Sequence, residues 1–295
     1  MQHAGTIADA AARANATVPD ASDIPALGHA EAVEMARAEL DQFIQLLESL
    51  DPEDWRKPTA CTLWDVRQMV AHVAATAAGL AQRSEFARQG SAGAQRPYRK
   101  QGMDKLEAMN QLGVDDRAHR TPAELIGELR ECAPRAIAFR RRLPGPLRAL
   151  PLPLGLAFPF GKVWVRLGYL TDLIMTRDMW IHRLDVCRAT DRQMVLAPEH
   201  DGRMTALVMR DLASRLTSKL DGRSVSYELS GPAGGSWRVG RAPEPAATIR
   251  MDALDFHWLA AARATAEEIR ENGLVSFDGD GELANRALDL TWVTY

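Results

Sequence analysis

The stretch Asp178-Met179-Trp180-Ile181-His182 decides how the rest of the chain is interpreted. It lies within residues 171–189, which contain neither proline nor glycine and are predicted to form one helix. Residues four apart on a helix share a face, so Asp178 and His182 can direct a carboxylate and an imidazole to one point. The pair could hold a divalent metal if another segment supplied a third ligand, or it could form a hydrogen bond on the helix surface.

The N-terminal half of the chain supplies a candidate third ligand. Apolar residues at three- and four-residue steps predict a helix over residues 30–50, and Thr62 with Asp65 resembles the capping box of a second helix. On that second helix His72 lies three residues after Met69, at the edge of the apolar stripe. A histidine at such an edge either completes the core or faces a ligand site.

Composition and charge describe an ordinary globular protein. The chain has 295 residues, a length that favours two domains, and 46% of them are hydrophobic and 25% charged. The formal net charge of −3 gives no basic field, so nucleic-acid binding is not expected. The run Arg140-Arg141-Arg142 is interpreted as a solvated helix end.

The cysteines and the absence of long hydrophobic segments indicate which cysteine chemistry and which cellular compartment to expect. Cys61, Cys132 and Cys187 form no C-x-x-C pair, and their odd number argues against a disulfide framework. Only Cys61 precedes a helix start that could lower its pKa, and no histidine partner is evident, so no cysteine is expected to be the nucleophile. Neither a signal peptide nor a membrane span is predicted, which favours the cytoplasm.

The pattern along the chain predicts three regions. Residues 1–25 lack large apolar groups and are predicted to be a disordered tail. Residues 26–192 are predicted to be all-helical, with a loop at 88–101, a helix capped by Thr121 and either kinked or divided at Pro134, and an apolar connection at 144–161. Residues 196–295 mix helices and strands. The fold class is therefore α+β with two domains.

A resemblance follows from two motifs. Residues 55–72 read W-x-x-P-T-x-C-x-x-W-x-V-R-x-x-V-A-H, and residues 180–185 read W-I-H-R-L-D. Together they resemble the mycothiol-dependent maleylpyruvate isomerase family. That family looks like a branch of the DinB-like four-helix metal-binding bundles, and its members commonly carry a sterol-carrier-protein-like C-terminal domain. Residues 251–263 and 275–288 look like that domain.

The resemblance implies a site and a chemistry. The metal ligands of the family fall on His72, Asp178 and His182, with Zn²⁺ as the expected metal and a fourth position open for water or a thiol. The cosubstrate mycothiol would be that thiol, and a metal-bound thiol loses its proton at neutral pH. The isomerase branch has glutamate where this chain has Asp178. The chain is therefore expected to be either an isomerase or a thiol transferase, acting on a small electrophilic or unsaturated substrate.

Four further residues are candidates for supporting roles. Asp185 either orients His182 or forms a surface ion pair with Arg183 or Arg188. Trp64 and Trp180 either line the substrate pocket or pack in the core. Arg263, at the position where such C-terminal domains often carry an arginine, either binds an anionic substrate at a domain interface or is an ordinary surface residue.

Two other functions remain open from the sequence. The chain could be a non-catalytic protein that holds a small molecule against the apolar segment at 150–160. It could also be a regulator that senses metal or thiol, although no DNA-reading helix-turn-helix is recognisable.

Overall fold

The computed structural model of the protein describes residues 18–158 and 161–295, which form two compact units. One unit comprises residues 27–195 and 294–295 and is mainly helical. The other comprises residues 196–293 together with the described segment 18–26, and it mixes helices with a sheet. Within the described part of the chain, no helix is both long enough and apolar enough to span a membrane.

The helical unit is built around a bundle of four helices. The first two are α1, His29–Glu48, and α2, Val66–Ala81. Shorter helices follow and lead to the third and fourth members, α6 and α8. The elements of this stretch are α3 (Arg83–Gln89), α4 (Ala92–Lys100), α5 (Lys105–Asp115), α6 (Pro122–Arg141), α7 (Gly145–Arg148), β1 (Pro151–Phe158), β2 (Gly161–Arg166), a π-helix (Tyr169–Ile174) and α8 (Met175–Ala189).

Apolar side chains from all four long helices form the core of the bundle. Helix α2 packs against α6 and α8, and α1 packs against the same two helices. The buried cluster between them includes Phe43 of α1, Met69 of α2, Leu129 of α6 and Val186 of α8. Burial of these side chains stabilises the bundle by roughly 1.5–3 kcal/mol each, so the scaffold does not depend on the polar site described below.

The starts of α2 and α6 follow from capping chemistry. At α6 the Thr121 hydroxyl accepts from the Glu124 backbone N–H, and Pro122 occupies the first helical position, as predicted. At α2 the predicted cap at Thr62 is wrong, because Asp65 caps the helix and accepts from the Gln68 N–H. The predicted division of the helix at Pro134 is also wrong: α6 continues through it, held by buried neighbours on the same face, and a kink there stays a prediction.

Three further expectations for the helical unit need correction. The predicted loop at 88–101 contains α3 and α4 instead. The predicted apolar connection at 144–161 contains α7 and β1, and β1 pairs antiparallel with β2, forming a hairpin. The helix predicted over 171–189 begins in the π-helix, whose wider turns place Asp172 in a polar network before α8 starts at Met175.

The second unit is a four-stranded sheet with helices packed on it. The strand order is β4-β3-β5-β6, with β3 and β5 parallel and the other pairs antiparallel. Helix α9 packs on β4, and α12 packs on the two central strands. The elements are α9 (Pro198–Leu216), β3 (Ser224–Ser230), β4 (Gly235–Gly240), β5 (Ala247–Asp252), α10 (Ala253–Ala260), α11 (Ala266–Glu271), β6 (Val275–Gly279) and α12 (Gly281–Asp289).

The described part of the predicted disordered tail is folded, which corrects that prediction for residues 18–25. Asp20 forms a parallel bridge with Arg238 at the edge of β4, where the Arg238 N–H donates to the Pro19 carbonyl at 2.8 Å. Asp20 also caps a 3₁₀ turn at Ala21–Asp23, and Ala21 is fully buried. Residues 1–17 lie outside the described residues.

Candidate metal centre

Two neighbouring helices of the bundle bring the three predicted ligands together. Helix α2 carries His72, and α8 carries Asp178 and His182 one turn apart. One ligand atom from each residue lies within 4.8 Å of the other two. Both imidazoles are buried, with His72 5% and His182 4% exposed, whereas the Asp178 side chain keeps 28% of its surface accessible. The cluster is thus a small polar site inside the bundle, and solvent reaches it at Asp178.

The spacing of these atoms fits a shared cation better than direct hydrogen bonds. His72 Nε2 lies 3.5 Å from Asp178 Oδ2, and His182 Nε2 lies 3.5 Å from Asp178 Oδ1. Both distances exceed a normal N–H···O hydrogen bond. Two donors that bind one tetrahedral Zn²⁺ at about 2.0–2.1 Å stand about 3.4 Å apart. The donor set of two imidazoles and one carboxylate therefore fits a divalent metal.

Neighbouring side chains fix the orientation of both imidazoles. His182 Nδ1 and Asp185 Oδ2 are 2.9 Å apart, which leaves His182 Nε2 directed at Asp178. The His72 ring stacks on Trp64, with centroids 4.9 Å apart, and the Trp64 Nε1–H donates to Gln111 Oε1 at 3.0 Å. His72 Nδ1 is a buried atom with no hydrogen-bond partner among the described residues, so packing against Trp64 holds this ring.

The electrostatics of the cluster favour a positive charge. Burial lowers the pKa of His182, but Asp178 and then Asp185 outweigh it and raise the pKa to about 9. Burial raises the pKa of Asp178, but His182 and His72 outweigh it and hold the pKa of that carboxyl well below its usual range. The surroundings therefore stabilise a cation next to an ionised carboxylate, which is the condition a divalent metal needs.

The four residues predicted to have supporting roles differ in their burial and in their distance from the cluster. Asp185 is fully buried and contacts His182, so the alternative of a surface ion pair is wrong. Trp64 contacts His72, as a residue lining the site would. Trp180 is fully buried, which favours the core-packing alternative, and its contact with substrate stays a prediction. Arg263 is partly buried in the other unit, where its backbone N–H donates to Trp258, and its role in substrate binding stays a prediction.

The structure also places near the cluster two residues to which the sequence assigned no role in the site. Cys61 Sγ lies 4.0 Å from Asp185 Oδ2, and Cys61, His182 and Asp185 form a second group of possible metal ligands. A cavity of about 30 Å³ is lined by Asp178, Arg140 and Thr176 among other residues. Arg140 could have been found from its three- and four-residue spacing with buried positions on α6, which outweighs its membership of an arginine run.

Fold and site together define a class: two-unit α+β proteins with a histidine–aspartate–histidine cluster inside a helical bundle. The model of the mycothiol maleylpyruvate isomerase N-terminal domain matches residues 36–187, slightly more than half of the chain and all three candidate ligands. The chain therefore belongs to the mycothiol-dependent maleylpyruvate isomerase family, a family of enzymes, and the predicted assignment is confirmed.

Solved structures give the same fold. A crystal structure of the mycothiol-dependent maleylpyruvate isomerase is 16% identical, with a TM-score of 0.50 over 83% of this chain and 92% of that one. A histidine-to-alanine mutant of that isomerase is 15% identical, with a TM-score of 0.51 over 88% and 95%. The predicted fold class is confirmed. A search of curated protein sequences found no match.

Proposed function

We propose that this protein is a metal-dependent enzyme that uses mycothiol as its thiol cosubstrate. Its reaction is an isomerisation or a thiol transfer on a small electrophilic or unsaturated compound. The observation that carries the proposal is the position of His72, Asp178 and His182 in a family-matched bundle, with ligand atoms within 4.8 Å of one another. Zn²⁺ is the metal we expect for this donor set.

Some residues of the site would hold the metal, and others orient the side chains that hold it. His72 Nε2, one Asp178 oxygen and His182 Nε2 would hold the metal, which when bound lowers the pKa of a coordinated thiol and so supplies a nucleophile. Asp185 keeps the His182 Nδ1 position occupied, so that Nε2 remains the free donor. Trp64 covers one face of His72 and limits water at that side. The partial exposure of Asp178 leaves the approach for both substrates.

Metal content tests the site directly. Wild type reconstituted with Zn²⁺ and then desalted should carry about one equivalent. His182→Ala should lose most of it, since even outer contacts of a ligand change affinity by about 10- to 100-fold. Helical content by circular dichroism should stay unchanged because the bundle core is apolar. His119→Ala, an exposed histidine, is the matched control and should keep its metal. Less than about a tenth of an equivalent in wild type would refute the metal site.

Product analysis separates the two reaction types. The reconstituted protein would be incubated with mycothiol and maleylpyruvate, the substrate named for the relatives. An isomerase converts the double bond from cis to trans while the free thiol concentration stays constant. A transferase consumes one thiol per product and leaves a thioether. Neither change with fully loaded protein would contradict the proposed reaction while leaving the metal site intact.

A further inference from the structure

The cavity beside Asp178 contains one charged group without a counter-ion. Three charged side chains line it in addition to its apolar wall: Glu39, Asp178 and Arg140. Glu39 is paired with Arg183, whose Nε and Nη2 donate to it at 2.8 and 3.0 Å. Asp178 faces the two histidines. Among the described residues, no carboxylate lies at ion-pair distance from Arg140, although it is only 7% exposed.

The surroundings of Arg140 leave its positive charge uncompensated. Its single side-chain hydrogen bond runs from Nη2 to the neutral Thr176 hydroxyl, at 2.8 Å. Burial lowers the pKa of Arg140 to about 10, and the Asp172 carboxylate offsets only part of that effect. A buried guanidinium with five donors normally has an anion or several acceptors as partners. None of the Arg140 nitrogens is both fully buried and without a partner, so the donors that Thr176 does not use are open to a small anion that enters the cavity.

The carboxylate that acts on Arg140, Asp172, is already bonded to other side chains. Asp172 accepts from Arg148 Nη1 at 3.0 Å, and both of its oxygens lie 3.1 Å from His29 Nδ1. Arg140 bonds to neither oxygen. Arg140, Arg148 and His29 therefore share one carboxylate as their neighbour. Of the three, only Arg140, which lines the cavity, has no hydrogen bond to it.

We propose that Arg140 and Thr176 form a binding site for a small carboxylate inside the bundle, in the cavity that Asp178 also lines. A planar carboxylate matches the donor fork of a guanidinium, and the Thr176 hydroxyl can donate to one of its oxygens. The cavity of about 30 Å³ admits a group of a few atoms without rearrangement, which is enough for one carboxylate.

The carboxylate site rests on the proposed function only where it concerns the orientation of a substrate towards the metal. Because the cavity reaches Asp178, a carboxylate held by Arg140 would orient the rest of its molecule towards the candidate metal centre. The binding site itself can be measured without the metal, so failure of the metal centre and failure of this site are distinguishable.

Formate binding tests the site. The full chain, both metal-stripped and Zn²⁺-loaded, would be titrated with sodium formate at constant ionic strength, following Tm and the ¹³C relaxation of labelled formate. Wild type should show a saturable response in both forms. Arg140→Gln should weaken formate binding by about 10- to 100-fold, the effect of losing charge-assisted hydrogen bonds. Arg141→Gln is the matched control, since it removes the same charge from the exposed neighbouring position.

Two further observations keep the test decisive. If Arg140→Gln does not fold, Thr176→Val keeps the side-chain shape and should weaken the formate response about tenfold by removing one hydrogen bond. An equal formate response in wild type and either variant would overturn the proposal. So would an Arg140-dependent response to inorganic phosphate with none to formate.

Discussion

Single residues decide the chemistry of the site, and the sequence predicts only some of them. Asp178 and His182 follow from their four-residue spacing on one helix. His72 lies on another helix, and it was linked to that pair through the motif over residues 55–72 rather than through spacing. Arg140 was misinterpreted because a run of three arginines resembles a solvated helix end, whereas a single turn of α6 places one of them inside and two outside.

Asp185 should tune metal affinity without being a ligand. Asp185→Asn keeps the volume of the side chain but weakens the contact that fixes the His182 ring. Zn²⁺ affinity, measured by competition with a chromophoric chelator, should fall by about 10- to 100-fold. At saturating metal the stoichiometry should return to that of wild type. A stoichiometry that stays reduced at saturation would identify Asp185 as a ligand instead.

Cys61 should be unnecessary for metal binding and for activity. It lies close to Asp185 and His182, and a cysteine, a histidine and an aspartate could also hold a metal. His182 Nδ1, however, is already occupied by Asp185, whereas its Nε2 faces Asp178. Cys61→Ser should therefore keep wild-type metal content and most of the activity. Loss of metal in this variant, with the fold retained, would move the site to Cys61.

Elements were predictable where periodicity and capping agree. Helices α1, α2 and α6 follow from three- and four-residue steps of apolar side chains, and α6 also has the capping box at Thr121. Helix α8 follows from the absence of proline and glycine over residues 171–189. The hairpin of β1 and β2 was missed because its prolines and glycines resemble those of a linker. Helices α3 and α4 were missed because glycine, alanine and arginine give no apolar stripe. In such segments tertiary packing, not local preference, selects the structure.

The end of α8 should depend on pH through Asp54. Arg192, just beyond α8, donates to Asp54 Oδ2 from Nη2 at 2.8 Å, and Lys57 pairs with Oδ1 at 2.9 Å. These contacts lower the pKa of Asp54 to about 2, below its usual 3.8. A lowered carboxyl pKa contributes stability that is complete above the unfolded value and is lost as pH falls towards the folded one.

Urea unfolding of Asp54→Asn checks this dependence. At pH 7 the variant should be less stable than wild type by about 1–3 kcal/mol, because a buried charge-assisted contact is lost. The difference should persist down to about pH 5 and shrink between about pH 4 and 2. Asp51→Asn removes an exposed partner of the same arginine and should change stability by less than about 1 kcal/mol. A difference independent of pH would show that the ion pairs are not its cause.

In the whole molecule, each of the two units combines segments that are far apart in the sequence. The sequence predicted a tail, a helical domain and a C-terminal domain in succession. Residues 18–26 instead belong to the unit formed by residues 196–293, and residues 294–295 belong to the helical unit, where the Arg177 Nη1–H donates to the Thr294 carbonyl at 2.8 Å. Local composition could not reveal this, because a short polar segment bonds to an edge strand mainly through its backbone.

The segment at residues 18–25 should therefore contribute to stability, contrary to the expectation from composition. Asp20 accepts from the Ser22 N–H and pairs with Arg238, and both side chains are largely buried. Asp20→Ala removes both contacts and should lower the stability of the full chain by about 1–2 kcal/mol. Asp23→Ala, three residues on and exposed, should have almost no effect. Deleting residues 1–25 should lower Tm at least as much as Asp20→Ala, because it also removes the backbone bond from Arg238 to Pro19. An unchanged Tm after that deletion would mean that β4 does not need this segment at its edge.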